Sequence, residues 1–142
     1  MKQVFLVVEG QSEEAFYKQV VADYFRTTHA FTVAIMPTKK NQSSRAYRDG
    51  TVTYDLCVRN IRRFLNGATH CDQFFLILDY YDLHTSFFDQ YQGHDRSKDK
   101  AEYVIRRVEK EVNHPKFSVF LQIYEFEAFL FSASASSSTQ FS

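Results

Sequence analysis

The chain has 142 residues, enough for one domain that buries about two thirds of the surface its unfolded form exposes. Seventeen basic and seventeen acidic residues cancel, so total charge selects neither a polyanion nor a membrane as partner, and only local clusters carry information. No stretch approaches the ~20 apolar residues of a membrane span, and Cys57 and Cys71 lack metal or redox spacing, so a soluble, cytoplasmic protein with reduced core thiols and no membrane partner is expected.

The unbroken apolar run Val4-Phe5-Leu6-Val7-Val8 predicts a strand covered on both faces, because a half-exposed strand would alternate. It stops at Glu9-Gly10. Ser12 then offers a helix cap, and Glu13 and Glu14 suit the positive end of the helix dipole. The helix is expected to reach about Thr27, with Phe16, Val20 and Tyr24 beside Tyr17, Val21 and Phe25 forming a wide apolar stripe for one sheet face. Phe31 to Met36 reads as a second strand, and Pro37 opens a polar, locally basic loop over 37–50.

From Thr53 onward, Tyr54, Cys57, Val58, Ile61, Phe64 and Leu65 follow a helical period, and Gly67 stands where a helix end favours a left-handed residue. Phe74 to Leu78 is another continuous apolar run, and it too stops at an acid, Asp79. Residues 80–97 have no sustained period and read as a long loop. Ala101, Val104, Ile105, Val108 and Val112 give a third helix, ending near His114 and Pro115, and Phe117 to Tyr124 suits a fourth strand. Glu125 to Phe131 resembles the opening of a helix cut short, as in a truncated chain or a shortened relative. The domain is therefore placed at 1–131, followed by a Ser-rich, disordered tail at 132–142.

Strands alternating with helices predict an α/β fold, a mostly parallel four-stranded sheet with helices on both faces. The carboxyl ends of parallel strands share one edge, so Glu9, Asp79 and Glu125 or Glu127 converge there. Acids gathered without matching cations repel one another and raise each other's pKa, and a divalent cation is the simplest compensation. Oxygen ligands favour magnesium, with manganese as substitute, and so favour phosphodiester chemistry. The bland readings are a helix cap or turn for each acid, and first-turn helix acids for Glu125 and Glu127. Lys39, Lys40, Arg45 and Arg48 follow the second strand on the same edge, where they would hold nucleic-acid phosphates or else form a solvated loop. Gly10 before a helix start could seat an anion, but it lacks the spacing of a glycine-rich phosphate motif.

Three blocks resemble, in order and spacing, an uncharacterised bacterial family of Toprim-like proteins. They are Glu9-Gly10-Gln11-Ser12-Glu13-Glu14-Ala15-Phe16, Asp79-Tyr80-Tyr81, and Gln122-Ile123-Tyr124-Glu125-Phe126-Glu127-Ala128-Phe129-Leu130-Phe131. Gly50, Tyr54 and the Arg-rich helix after them are similar as well. The resemblance implies a Toprim-like (Rossmann-like) fold and a magnesium-dependent nuclease in which Glu9 is the acid–base or metal glutamate and Asp79 the metal aspartate. Toprim domains carry an Asp-x-Asp pair. This chain has Asp79-Tyr80-Tyr81-Asp82 instead, so Asp82 can join the metal ligands only if the strand has already turned. Glu125 or Glu127 would otherwise supply the missing ligand. Relatives are often encoded beside ATPases in anti-phage loci, which implies an ATPase partner and a role in phage defence. The alternative is a non-catalytic module that binds nucleic acid or that ATPase.

Overall fold

The structure, a computed structural model, describes residues 1–37 and 52–123. Four strands, β1 (Lys2–Val8), β2 (His29–Ile35), β3 (Gln73–Asp79) and β4 (Phe117–Gln122), form one all-parallel sheet in the order β2-β1-β3-β4. Helix α1 (Gln11–Phe16) runs into a π-helical stretch (Tyr17–Val21) and a last turn, α2 (Ala22–Tyr24), between β1 and β2. Helices α3 (Tyr54–Gly67) and α4 (Ser97–Val112) precede β3 and β4. The predicted α/β class, parallel sheet and helices on both faces are all present. Among the described residues no helix is long and apolar enough to cross a membrane.

Alternation along the strands divides the core in two. Val7, Phe74, Leu76, Leu78, Phe117, Val119 and Leu121 meet Cys57, Val58 and Ile61 of α3 and Ala101, Val104 and Val108 of α4 in the larger cluster. Val4, Leu6, Val8, Val33 and Ile77 form the smaller one, with Tyr17 packed on it. Cys57 and Cys71 are free, buried thiols, as expected.

Helix α3 begins where Thr53 Oγ1 accepts the Leu56 N–H at 3.4 Å. Gly67 is its last residue and takes no left-handed turn, since the helix closes through Ala68 at φ −109°. The left-handed cap appears on α4 instead, at Asn113 (φ 51°), just before His114 and Pro115.

Two expectations for the first helix need correction. Its cap is Gly10, and Ser12 lies inside the helix. The wide apolar stripe also fails: Val20 is 54% and Tyr24 80% exposed, and none of the three segments buries a residue. The π turn, closing i to i+5, breaks the α period of the stripe; Tyr17 packs on the smaller cluster, and Val21 and Phe25 line a groove beside it.

The 80–97 segment is less open than its sequence implies. It holds two 3-10 turns, Tyr80–Asp82 and Thr85–Phe88, and Phe87 is fully buried. Phe87 meets the Tyr54 ring edge-on at 5.5 Å, while the Arg107 guanidinium lies 3.6 Å from the Tyr54 ring centre and donates to Ser86 O at 2.7 Å. The Tyr54 N–H donates to Ser86 Oγ at 2.9 Å. The loop, the start of α3 and the middle of α4 are thereby locked together.

Candidate functional site

In the order β2-β1-β3-β4, the chain leaves β1 toward one side of the sheet and later returns to pair β3 on its other side. The two crossovers run over opposite faces, which opens a crevice beyond the carboxyl ends of β1 and β3. Open α/β sheets bind ligands at such a switch point. Glu9 is the first residue past β1, and Asp79 is the last of β3.

The two acids are joined directly, since the Asp79 N–H donates to Glu9 Oε1 at 3.2 Å. Asp79 is 7% exposed, and one of its carboxylate oxygens accepts the Tyr81 N–H at 3.2 Å. Glu9 keeps part of its surface open. Even so, burial of the carboxyl group lifts its pKa from 4.5 to about 8, against the lowering effect of the Asp79 N–H. The charges of Asp82, Asp79 and Glu13 push it the same way, and each of these charged neighbours is an acid. Behind the site, the Cys57 thiol is pushed up to about 12 by burial and by the Glu9 charge. That cysteine is an inert core group.

Asp82 answers a question posed by the sequence. The strand ends at Asp79 and the chain turns at once into the 3-10 stretch Tyr80–Asp82, in which side chains three apart eclipse. The turn brings Asp82 within electrostatic range of Glu9, although its side chain is exposed. Among the described residues no three His, Cys, Asp or Glu side chains stand close enough together to hold an ion. The site is thus a carboxylate pair with a third acid nearby. Glu125 and Glu127 lie outside the described residues, as do Lys39, Lys40, Arg45, Arg48 and the 132–142 tail.

The ends of the basic segment are nonetheless fixed. The Met36 N–H donates to Val8 O at 2.7 Å, one residue before Glu9. Asn60, 3% exposed, donates through Nδ2 to Pro37 O at 3.2 Å. The chain re-enters at Val52, directly before the cap of α3. Both ends therefore lie at the carboxyl edge that carries Glu9. Asn60 carries no motif in the sequence. Its one signal is an amide on the apolar face of a helix, a place where a side chain needs a specific partner. Gly10 is extended, and Glu13 and Glu14 fill the first turn beyond it, so that helix start is a poor seat for an anion.

The sequence model of a domain of unknown function (DUF4276) matches residues 8–141, nearly the whole chain. The protein belongs to the DUF4276 family. No curated protein and no solved structure matches it. For this DUF4276 chain the family boundary includes Glu9, Asp79, Asp82, Glu125 and Glu127.

Proposed function

We propose that this DUF4276 chain is a Toprim-like, magnesium-dependent phosphodiesterase acting on nucleic acid. The observation that carries the reading is the position of Glu9: at the switch point, bonded to the Asp79 backbone, with Asp82, Asp79 and Glu13 as the charges acting on it. An acid pair of this kind fits a hard cation, and magnesium needs only one or two carboxylates when water and phosphate oxygens complete its shell. Glu9 and Asp79 would hold it, with manganese as substitute, and Asp82, Glu125 or Glu127 would be added ligands. The bound cation would supply charge stabilisation at the phosphate and a more acidic water.

The protein's own groups do the rest. The Asp79 N–H orients the Glu9 side chain, which would meet the cation as an ionised carboxylate. Lys39, Lys40, Arg45 and Arg48 lie in the segment anchored by Met36 and Pro37 and would bind the phosphate backbone by charge, without base readout. An ATPase partner in phage defence follows from the family resemblance alone.

The deciding experiment measures cleavage of single- and double-stranded DNA and RNA with magnesium or manganese. Cleavage should appear with the cation and fall about a hundredfold or more in Glu9→Gln and in Asp79→Asn, the scale of a positioned acid–base group. Activity that survives both substitutions would sink the assignment. The sequence Asp79-Tyr80-Tyr81-Asp82, which lacks the Asp-x-Asp pair, supports a second reading, a non-catalytic module that binds nucleic acid or an ATPase. That reading predicts salt-sensitive binding with no turnover.

A further inference from the structure

Tyr81 is 58% exposed in the turn that joins Asp79 to Asp82, two acids of the candidate site. An aromatic ring is ordinarily drawn into a core, and this chain buries Phe74 and Phe87 in that way. The neighbouring Tyr80 follows the same pattern, packing on the larger cluster and meeting the Phe88 ring edge-on at 5.8 Å. Tyr81, in the same turn, stays outside.

The exposed ring is nevertheless held. The Tyr81 N–H donates to an Asp79 carboxylate oxygen at 3.2 Å, and the Leu83 N–H closes the turn on Tyr80 O at 3.2 Å. The Tyr80 and Tyr81 rings stand perpendicular with their centres 5.0 Å apart. A ring fixed in this way loses little freedom when a flat partner settles on it. Only Tyr80 separates it from Asp79 in the chain, so the two Cα atoms lie no more than about 7.6 Å apart.

A partner that touches both needs a flat apolar face and, close to it, an anionic group for the candidate cation site. A nucleotide has both. The base must be unpaired, because in a duplex its faces are already covered by the neighbouring bases, and only a base free of the stack offers one to a side chain.

We propose that Tyr81 is the stacking platform for one unpaired base, and that the site takes single-stranded nucleic acid in preference to duplex. The inference rests on the nucleic-acid reading above, whether or not the chain turns over, and adds the strand class that the acids by themselves do not select. Stacking uses the ring and not the phenol hydroxyl, so phenylalanine or tryptophan serves at this position and alanine does not.

The chain contains no tryptophan, so Tyr81→Trp gives a single fluorescent reporter at the position in question. Its emission is followed by stopped flow in magnesium, ahead of any cleavage, with a mixed-sequence single-stranded DNA, the matching duplex and the same single strand made abasic. The intact single strand should quench it, and the duplex and the abasic strand should do so several-fold less. In filter binding, Tyr81→Ala should hold the single strand about five- to a hundredfold more weakly than wild type, the range for losing one stacked base, with duplex affinity unchanged. Tyr81→Phe should stay within about twofold of wild type on both. Equal quenching by the abasic strand would make the contact one with the backbone and overturn the proposal. So would equal affinity of the wild type for single strand and duplex. A wild type that binds or cleaves nucleic acid, with Tyr81→Ala unchanged, rejects the platform alone. A wild type that does neither rejects the reading beneath it as well.

Discussion

The Asp79 N–H donates to Glu9 Oε1 at 3.2 Å across a sequence separation of 70 residues. The last sheet pair between these two strands is Val7 with Leu76, so the bond extends the junction past the ladder and closes it with an acid side chain. Glu9 is therefore part of the fold as well as of the candidate site, and the proposed cation would require it ionised where the fold favours its protonated form.

The first prediction concerns pH. With a folded pKa of about 8 against an ordinary 4.5, Glu9 binds more protons in the folded state than in the unfolded state between those values. Stability is complete below about pH 4.5 and is lost as pH rises through about 8. Glu9→Gln removes this loss, so urea denaturation without divalent cations should find the variant more stable by on the order of 3 kcal/mol at pH 9 and little changed at pH 4. A wild-type stability that rises between pH 5 and pH 8, with Glu9→Gln tracking it, would contradict the burial of this carboxyl group.

Cation binding should release a proton. A ligand carboxyl group must be ionised, and Glu9 is largely protonated at neutral pH, so magnesium or manganese binding should expel close to one proton per site. Titration calorimetry in two buffers of different ionisation enthalpy reads that number directly. The cation should also raise the thermal midpoint of the wild type, by about 2.7 kcal/mol of stability at a hundredfold excess over Kd, and leave Glu9→Gln unmoved.

Phe87 and Arg107 should report on the 80–97 segment. Phe87→Ala empties a fully buried position and should cost about 3–5 kcal/mol. Arg107→Met loses the stack on Tyr54 and the bond to Ser86 O, and should cost about 1–3 kcal/mol. Denaturation curves check both. A surface-like effect below about 0.5 kcal/mol for Phe87→Ala would mean that the segment is not locked to the core.

Asn60→Ala should separate anchoring from chemistry. It removes the Nδ2 donor to Pro37 O and Met36 Sδ and should cost about 0.5–1.5 kcal/mol. Glu9 and Asp79 are untouched, so cation affinity by calorimetry should stay within about twofold of wild type, while retention on nucleic acid at low salt should weaken.

The two inner strands, β1 and β3, were legible because each is a continuous apolar run with an acid at its end, and that signal requires only local sequence. Glu9 and Asp79 could be placed on one edge from the same runs, since parallel strands all end on one side. Their hydrogen bond could not, because it depends on a register that joins distant segments. The first helix misled because its apolar residues fit an α period whereas the chain adopts a π turn over Tyr17–Val21, which shifts that period. Phe87 was hidden in an aperiodic stretch, where burial comes from contacts with α3 that no local pattern encodes. Asp82 was three residues from Asp79, unhelpful on an extended chain, and became relevant only because the strand stops at once.

The sheet order also sets a schedule. β1 leaves the ribosome before the other three strands of this sheet, yet it is an inner strand, flanked by β2 and by β3, which follows only at Gln73–Asp79. During synthesis, one edge of β1 must wait for a partner encoded dozens of residues later, and such distant pairing slows folding and prolongs exposure of an apolar edge. The Glu9–Asp79 junction forms at that moment of closure. The acid pair thus comes into being only in a chain that has already finished its centre, and a nascent or misfolded copy carries Glu9 as an ordinary, fully ionised glutamate.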